Sequence, residues 1–171
     1  MRVSSVAFAA GLAALSISTS LHGQKADDRV DPRSSALVAK AEAARASGDL
    51  GAATGLLETA LAVDPRNRAA VIALADVARA QQLPGKAIRY YREALALNPQ
   101  DLHALRGQGE AMVMKGAVKS AQENLARIRA ICAQRACSDA TQLAAVIAKG
   151  PPITTASTST KAETAATEAK N

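Results

Sequence analysis

The sequence predicts an all-α protein, an α-solenoid of about three helix-turn-helix units followed by a C-terminal capping helix. Asp64-Pro65 and Asn98-Pro99 lie 34 residues apart, and each closes a helix-turn-helix pattern of the same shape. A repeat of this length indicates stacked helix pairs. Strands are disfavoured because the 171 residues include no Trp, one Phe and two Tyr. Alanine, which has the highest helix propensity, dominates the middle of the chain.

Residues 1–23 have the layout of a cleaved signal peptide. Arg2 supplies a positive region, an apolar stretch runs from Val6 to Ile17, and small residues follow at Ser18 and Ser20. The stretch is short for a bilayer span, and an uncleaved membrane anchor is the alternative. Because the segment resembles bacterial export signals, we expect a periplasmic or secreted protein with no stable membrane insertion after cleavage.

Residues 24–33 are interpreted as a linker and residues 34–150 as the helical domain. Asp31 is expected to be the N-cap of the first helix, with Pro32 at its first position. Turn residues and apolar periodicity then divide the domain into three pairs. The predicted helices are 32–47 and 51–63, then 67–80 and 84–97, then 101–114 and 117–131.

A seventh helix is predicted from Asp139 to Lys149. Asp139 and Gln142 resemble a capping box at its start, and Gly150 with two prolines ends it. Its apolar residues fall on one face: Leu143, Val146 and Ile147. Because a repeat stack needs a terminal element over its last groove, we interpret this helix as the cap.

Cys132 and Cys137 lie at the junction before the capping helix. On one continuous helix their Cα atoms would be too far apart for a bridge, but a break in the chain would let them meet. Export to an oxidising compartment would favour a disulfide, although the sequence leaves the bond undecided. A redox-catalytic site is disfavoured because the spacing is not Cys-x-x-Cys.

Residues 151–171 read as a disordered tail. Threonine, serine and alanine dominate this segment, and large apolar residues are nearly absent. Such a composition buries too little surface to offset the entropy of ordering the chain.

Small residues recur in register when Pro65 and Pro99 are taken as position 32 of their units. Eight of the nine positions 8, 20 and 27 in the three copies hold small residues, and Ile128 is the departure: Ala41, Ala75, Gly109; Ala53, Ala87, Ala121; and Ala60, Ala94, Ile128. Position 24 holds the larger Leu57, Tyr91 and Leu125. Two helices approach closely only where side chains are small, and bulky neighbours fill the remaining groove.

Over residues 34–131 this pattern resembles the tetratricopeptide repeat family, which has small residues at positions 8, 20 and 27 and proline at 32. The family's preferred tryptophan at position 4 and tyrosine at position 11 are absent, and the third copy has Ala133 in place of proline. An irregular alanine-rich helical bundle is the alternative fold.

The resemblance implies a binding scaffold whose concave side is lined by the first helix of each unit. Positions 5, 9 and 12 supply the candidate partner-binding residues Glu42, Arg45, Asp76, Arg79, Arg106 and Glu110. One interpretation is a polar groove that grips an extended peptide, with apolar contacts from Val38, Ile72, Val113 and Met114. The other is a solvated ladder of weak ion pairs between residues three apart. Some members of the family recognise a C-terminal carboxylate with lysine and asparagine in the groove. Those residue types are missing from the matching positions of this sequence.

The sequence gives little support to other classes of function. The net charge is +6, but basic residues are dispersed and aromatic residues for base stacking are nearly absent, so the composition argues against nucleic acid as a partner. No enzyme, cofactor or metal motif is present in the sequence. We therefore expect a non-enzymatic scaffold of the cell envelope that binds a protein or peptide. The alternatives are a structural subunit of a larger envelope or secretion assembly and an enzyme without a recognisable motif.

Overall fold

The computed structural model describes residues 29–133 and 136–152, and this part of the chain contains seven α-helices and no strand. The helices are α1 (Pro32–Ala46), α2 (Leu50–Val63), α3 (Arg68–Ala80), α4 (Pro84–Leu97), α5 (Leu102–Met114), α6 (Val118–Cys132) and α7 (Ser138–Lys149). The predicted all-α solenoid is confirmed. The signal peptide predicted within residues 1–28 and the tail predicted over residues 153–171 lie outside the described residues.

Short polar side chains start four of the helices. Each accepts a hydrogen bond from a backbone N–H of the first turn, which satisfies a donor that has no partner within the helix. These N-caps are Asp31, Asp49, Asn67 and Asp101. Proline at the first position of α1 and α4 supplies a preset backbone angle where no donor is needed.

The turn inside each repeat uses the same left-handed backbone position. Gly48 and Gly116 have φ angles of 85° and 84° there. In the second repeat Gln82 takes this conformation with a φ of 59°, which is unusual for a residue with a Cβ. This turn geometry, which recurs in all three repeats, directs the two helices of each repeat back against one another.

The small residues of the pattern lie where the paired helices touch. Ala53, Ala87 and Ala121 at position 20 are completely buried, as are Ala60 and Ala94 at position 27. Each second helix packs against the first helix of its own repeat. The larger residues at position 24, including the fully buried Leu57 and Tyr91, fill the space alongside. The packing principle inferred from the sequence is therefore confirmed.

Buried hydrogen bonds join the first two repeats. The Asn67 side-chain amide donates to Ser34 Oγ over 2.7 Å, and Ser34 Oγ donates to the Ala60 carbonyl over 2.8 Å. Between the third-repeat helices, Asn124 Nδ2 donates to Gln108 Oε1 over 2.9 Å. Because each of these buried polar groups has a partner, the close packing of the repeats costs little in desolvation.

Helix α7 covers the end of the stack by packing on both α5 and α6. Leu143 is completely buried there, and its side chain lies against the bare backbone of Gly109. The predicted capping box is wrong, because Cys137 is the N-cap and makes no side-chain cap bond. Asp139 instead pairs with Arg106 of α5, so a tertiary ion pair has replaced the local one.

A disulfide bond joins Cys132 at the end of α6 to Cys137 before α7, with a Cα–Cα distance of 6.1 Å. The chain does break between these helices, as the pairing requires. Within the described ranges, none of the helices is both long and apolar enough to cross a membrane.

Candidate functional site

The first helices of the repeats form a concave face. Helix α1 contacts α3, α3 contacts α5, and α5 contacts α7, whereas the second helices α2, α4 and α6 do not contact one another. The inner helices are thus drawn together and the outer helices are spread apart, which curves the stack. All six predicted partner-binding residues belong to the inner helices α1, α3 and α5.

A network of charged and polar groups occupies the C-terminal half of this face, and we call it the inner network. It consists of Asp76 and Arg79 on α3, Tyr91 on α4, His103, Arg106 and Glu110 on α5, and Asp139 on α7. The residues come from four helices and three levels of the stack. The network therefore joins the second repeat, the third repeat and the cap.

Asp76 is the centre of one half of the inner network. Its Oδ1 accepts a hydrogen bond from the Tyr91 hydroxyl and lies 3.4 Å from an Arg79 nitrogen, and its Oδ2 lies 2.9 Å from His103 Nε2. Burial alone would raise the pKa of Asp76, but the hydrogen bonds from His103 and Tyr91 outweigh burial and hold the pKa below its usual range. Asp76 is consequently a carboxylate at neutral pH.

His103 connects Asp76 to Arg106. Its Nδ1 lies 3.2 Å from Arg106 Nη2, and a neutral imidazole with the proton on Nε2 satisfies both contacts. The hydrogen bond to Asp76 raises the pKa of His103, against the opposing effects of burial and of the Arg106 charge. Burial, reinforced by the Asp76 charge, raises the pKa of Tyr91 far above its ordinary value. Tyr91 therefore stays protonated and donates.

The other half of the network is a chain of alternating charges. Glu110 accepts hydrogen bonds from Arg79 and, over 2.9 Å, from Arg106 Nη1. Arg106 Nε also donates to Asp139 Oδ1 over 2.8 Å, which ties α5 to the cap. Asp76 and Glu110 are buried, so these pairs are shielded from solvent more than an ordinary surface ladder.

Glu42 and Arg45 make a separate pair on α1, with 2.5 Å between Arg45 Nη2 and Glu42 Oε2. Both side chains are well exposed. The solvated-ladder interpretation thus describes this first pair and does not describe Asp76 or Glu110. Four of the six predicted residues lie together in the inner network: Asp76, Arg79, Arg106 and Glu110. The other two, Glu42 and Arg45, pair with each other outside it.

The predicted apolar contacts are distributed differently from the expectation. Val38, Ile72 and Met114 are partly exposed, but Val113 is only 1% exposed and packs inside the stack, so its assignment to the binding surface is wrong. At the same position of the first two repeats, Arg45 is exposed and Arg79 is partly exposed.

Three members of the inner network were not proposed from the sequence. Tyr91 on α4 and His103 on α5 both contact a carboxylate on α3, and Asp139 had been assigned to a local cap. Tyr91 was expected to pack in the core, and it does so while also donating through its hydroxyl. The signal in the sequence that could have indicated the Arg106–Asp139 pair was their spacing of 33 residues, which is one residue less than the repeat period.

Within residues 29–133 and 136–152, no group of three or more His, Cys, Asp and Glu side chains is placed to hold a metal ion. The inner network balances its carboxylates with arginine and histidine donors. Its geometry is that of a structural junction with one exposed margin, formed by the half-exposed His103 and Arg79.

Several solved helical-repeat structures superpose on this chain. The Sgt2 TPR domain from Aspergillus fumigatus is 21% identical with a TM-score of 0.64, covering 72% of this chain and 88% of its own. The first TPR of Spaghetti (RPAP3), bound to an HSP90 peptide, is 18% identical with a TM-score of 0.62, covering 68% and 91%. The Yersinia enterocolitica type III secretion chaperone SycD, in complex with a peptide of the translocator YopD, is 16% identical with a TM-score of 0.59, covering 67% and 92%.

At these identities the likeness establishes the fold alone. Among curated proteins, no sequence matches this chain. The profile of a tetratricopeptide repeat matches twice, at residues 38–101 and 72–136. The two matches overlap and together cover residues 38–136, more than half of the chain. With its paired helices, buried small residues and terminal cap, the chain belongs to the tetratricopeptide repeat family.

Proposed function

We propose that this protein is a non-enzymatic scaffold that binds a protein or peptide partner along its concave face. The observation that carries the proposal is the contrast between the two halves of that face. In the C-terminal half, Arg79 and Arg106 already donate to internal carboxylates. In the N-terminal half, Ser35 and Ala69 are exposed, Val38 and Ile72 are partly exposed, and Arg45 has only an exposed partner.

The N-terminal half is the better candidate for partner contact, and we call it the α1–α3 groove, lined by Ser35, Val38, Glu42, Arg45, Ala69 and Ile72. An exposed ion pair is worth little, so Arg45 can exchange Glu42 for a partner group at small cost. Binding through Arg79 or Arg106 would have to break half-buried pairs instead. Two structures with this fold hold peptides, one of HSP90 and one of YopD, which supports a peptide as the class of ligand.

We further propose that the protein acts in the bacterial cell envelope, as a periplasmic or secreted protein. The support is the signal-like layout of residues 1–23 and the pairing of Cys132 with Cys137, because disulfides persist in oxidising compartments. Signal cleavage is tested by mass spectrometry of the protein recovered from envelope fractions.

The binding proposal is tested by reversing one charge inside the groove and one outside it. Arg45→Glu should reduce capture of the partner from an envelope extract by at least about tenfold, since a hydrogen bond to a charged group is typically worth about 1.5–3 kcal/mol and about 1.4 kcal/mol is a tenfold change in affinity. Lys40→Glu is the matched control, because Lys40 lies exposed on the same helix at a position outside the groove. The captured protein is identified by mass spectrometry, and its affinity for each variant is then measured by calorimetry.

Loss of capture in both variants would indicate a nonspecific charge effect, and unchanged capture in both would place the partner elsewhere on the molecule. Either result would contradict binding in the α1–α3 groove.

A further inference from the structure

A surface cavity of about 340 Å³ lies at the edge of the stack where the chain passes from α2 to α3. We call it the edge cavity, and its lining includes Arg29, Val30, Asp64, Arg68, Ala69 and Leu97. Val30 and Leu97 are large apolar residues, yet their side chains are 40% and 44% exposed. Two such side chains on one concave surface, rather than scattered singly, are typical of an interaction site.

The lining of the edge cavity has an excess of positive charge. It contains three arginines, Arg29, Arg66 and Arg68, and one carboxylate, Asp64. Asp64 is already engaged by the backbone, because its Oδ2 accepts from the Asp31 N–H and its Oδ1 accepts from the Arg66 N–H, each over 3.0 Å. A ligand that carries a carboxylate would therefore complement the charge of this cavity.

Arg29 and Arg68 are the arginines that can meet such a carboxylate, since Arg66 already has an interaction partner. Arg29 is exposed beside the cavity. Arg68 contacts Asp101 through its Nε over 3.3 Å, and among the described residues its two Nη nitrogens have no hydrogen-bond partner. Because a guanidinium presents several donors in one plane, Arg68 can keep Asp101 and still donate to a ligand.

The edge cavity adjoins the α1–α3 groove. Ala69, in the first turn of α3, is exposed and lines both of them. Consecutive helices joined by short loops are antiparallel, so α1 and α3 point the same way and their first turns lie at the same edge of the stack. A peptide that lies along the groove towards these first turns therefore reaches the cavity.

We propose that the edge cavity binds an aliphatic side chain of the partner peptide together with the carboxylate of the residue next to it in sequence. The aliphatic side chain packs against Val30 and Leu97, and the carboxylate accepts hydrogen bonds from Arg29 and Arg68. This inference rests on the proposed function, because the peptide is the one bound in the α1–α3 groove. It adds a requirement for an aliphatic and an acidic residue at one end of the bound segment.

The test uses three blocked tetrapeptides and methyl NMR spectra of the full-length protein. The probes are acetyl-Ala-Leu-Asp-Ala-amide, a Leu-Asn analogue that lacks the charge and an Ala-Asp analogue that lacks the aliphatic side chain. The Leu-Asp peptide should shift the methyl signals of Val30 and Leu97 in a saturable way. The Leu-Asn peptide should bind about two- to fivefold more weakly, as expected for loss of an exposed ion pair. The Ala-Asp peptide should bind at least about tenfold more weakly, because it buries less apolar surface.

Matched variants of the protein test the two kinds of contact separately. Leu97→Ser should weaken binding of the Leu-Asp peptide by about tenfold. Leu83→Ser is the control, because Leu83 is similarly exposed, at 46%, but lies at the turn between α3 and α4 outside the cavity. The Arg29→Gln, Arg68→Gln double variant should bind the Leu-Asp and Leu-Asn peptides equally and still prefer both to the Ala-Asp peptide. Circular dichroism checks that each variant keeps its helices.

Absence of saturable shifts at Val30 and Leu97 would overturn the proposal, as would equal affinity for the three peptides or equal losses in Leu97→Ser and Leu83→Ser. Binding of free 4-methylpentanoate as tightly as the Leu-Asp peptide would indicate a site for small aliphatic acids and contradict the peptide assignment. Nuclear Overhauser contacts from Val30 and Leu97 to residues 24–28 in the ligand-free protein would show that the chain's own preceding segment occupies the cavity, which would also contradict it.

Failure at the edge cavity is distinguishable from failure of binding in the α1–α3 groove. Arg45 lies near the C-terminal end of α1, roughly 20 Å along the helix from its start beside Val30. Loss of partner binding in Arg45→Glu with none in Leu97→Ser would retain the groove and reject the edge cavity.

Discussion

Two arginines at the same position of successive repeats have different surroundings, and at the residue scale this difference decides their importance. Arg45 pairs with an exposed Glu42, whereas Arg79 contacts the buried carboxylates of Asp76 and Glu110. Removing Arg79 would leave the buried carboxylates of Asp76 and Glu110 each with one donor fewer.

We expect Arg79→Ala to lower the free energy of unfolding by about 1–3 kcal/mol, the usual cost of leaving a buried charged group unsatisfied. Arg45→Ala should change it by less than about 0.5 kcal/mol, as for most exposed pairs. Urea denaturation followed by circular dichroism gives both values. Equal losses in the two variants would show that the inner network is no more buried in solution than the α1 pair.

His103 makes stability depend on pH. Because the Asp76 hydrogen bond raises the pKa of His103 above 6.5, its contribution is fully present below the unfolded-state pKa of about 6.5 and is lost as pH rises through the folded-state value. The lowered pKa of Asp76 acts in the opposite direction, since its contribution is lost as pH falls below about 4. Stability attributable to this pair is therefore greatest between these limits.

The wild type should lose stability between pH 6 and pH 9, and His103→Gln should lose less over the same range. The groups that face His103 are Asp76 on α3, Arg106 on its own helix and the N-cap Asp101. Thermal denaturation at a series of pH values measures the difference between the two proteins. Parallel curves would show that His103 does not govern this pH dependence.

At the scale of the helix, glycine marks either a close contact or an open surface. A Cβ on Gly107 of α5 would overlap the ring of Tyr91, which is fully buried and held through its hydroxyl by Asp76. A Cβ on Gly55, inside α2, would meet nothing within 4 Å. The sequence identifies both residues as helical glycines, but only the packing distinguishes them.

The same substitution should therefore have opposite effects at the two sites. Gly107→Ala should destabilise the protein by about 1–3 kcal/mol, as overpacking does in rigid cores. Gly55→Ala should stabilise it by about 0.5–1 kcal/mol through helix propensity. Chemical denaturation checks both signs, and stabilisation by Gly107→Ala would show that Tyr91 can move aside.

The helices themselves were predictable from the sequence, with bounds that differ from the observed ones by at most one residue. Asp31, Asn67, Asp101 and the interhelical prolines act locally, so their effects can be inferred without knowing the fold. The start of α7 was the exception. Asp139 has the local character of a cap, but a charged partner on α5 and a disulfide at the preceding residues outweighed that preference.

At the scale of the whole molecule, the stack is asymmetric. Its C-terminal end is covered by α7 and held by the inner network, while the concave face of the first repeat keeps exposed and partly exposed side chains. The same arrangement of helix pairs thus supplies a rigid end and an accessible end. The accessible end is where we propose that the partner binds, in the α1–α3 groove.

The sequence by itself determined the repeat, the helix pairs and the small residues at their contacts, because helix propensity, capping and a 34-residue period are local or periodic properties. Only the tertiary structure decided which charges are buried. Asp76 and Glu42 occupy the same position of successive repeats, yet Asp76 meets Tyr91 and His103 from other helices, whereas Glu42 pairs with Arg45 at the surface. The reason is that the stacking of repeats and the docking of α7 set the neighbours of each side chain, and these neighbours set its electrostatic environment.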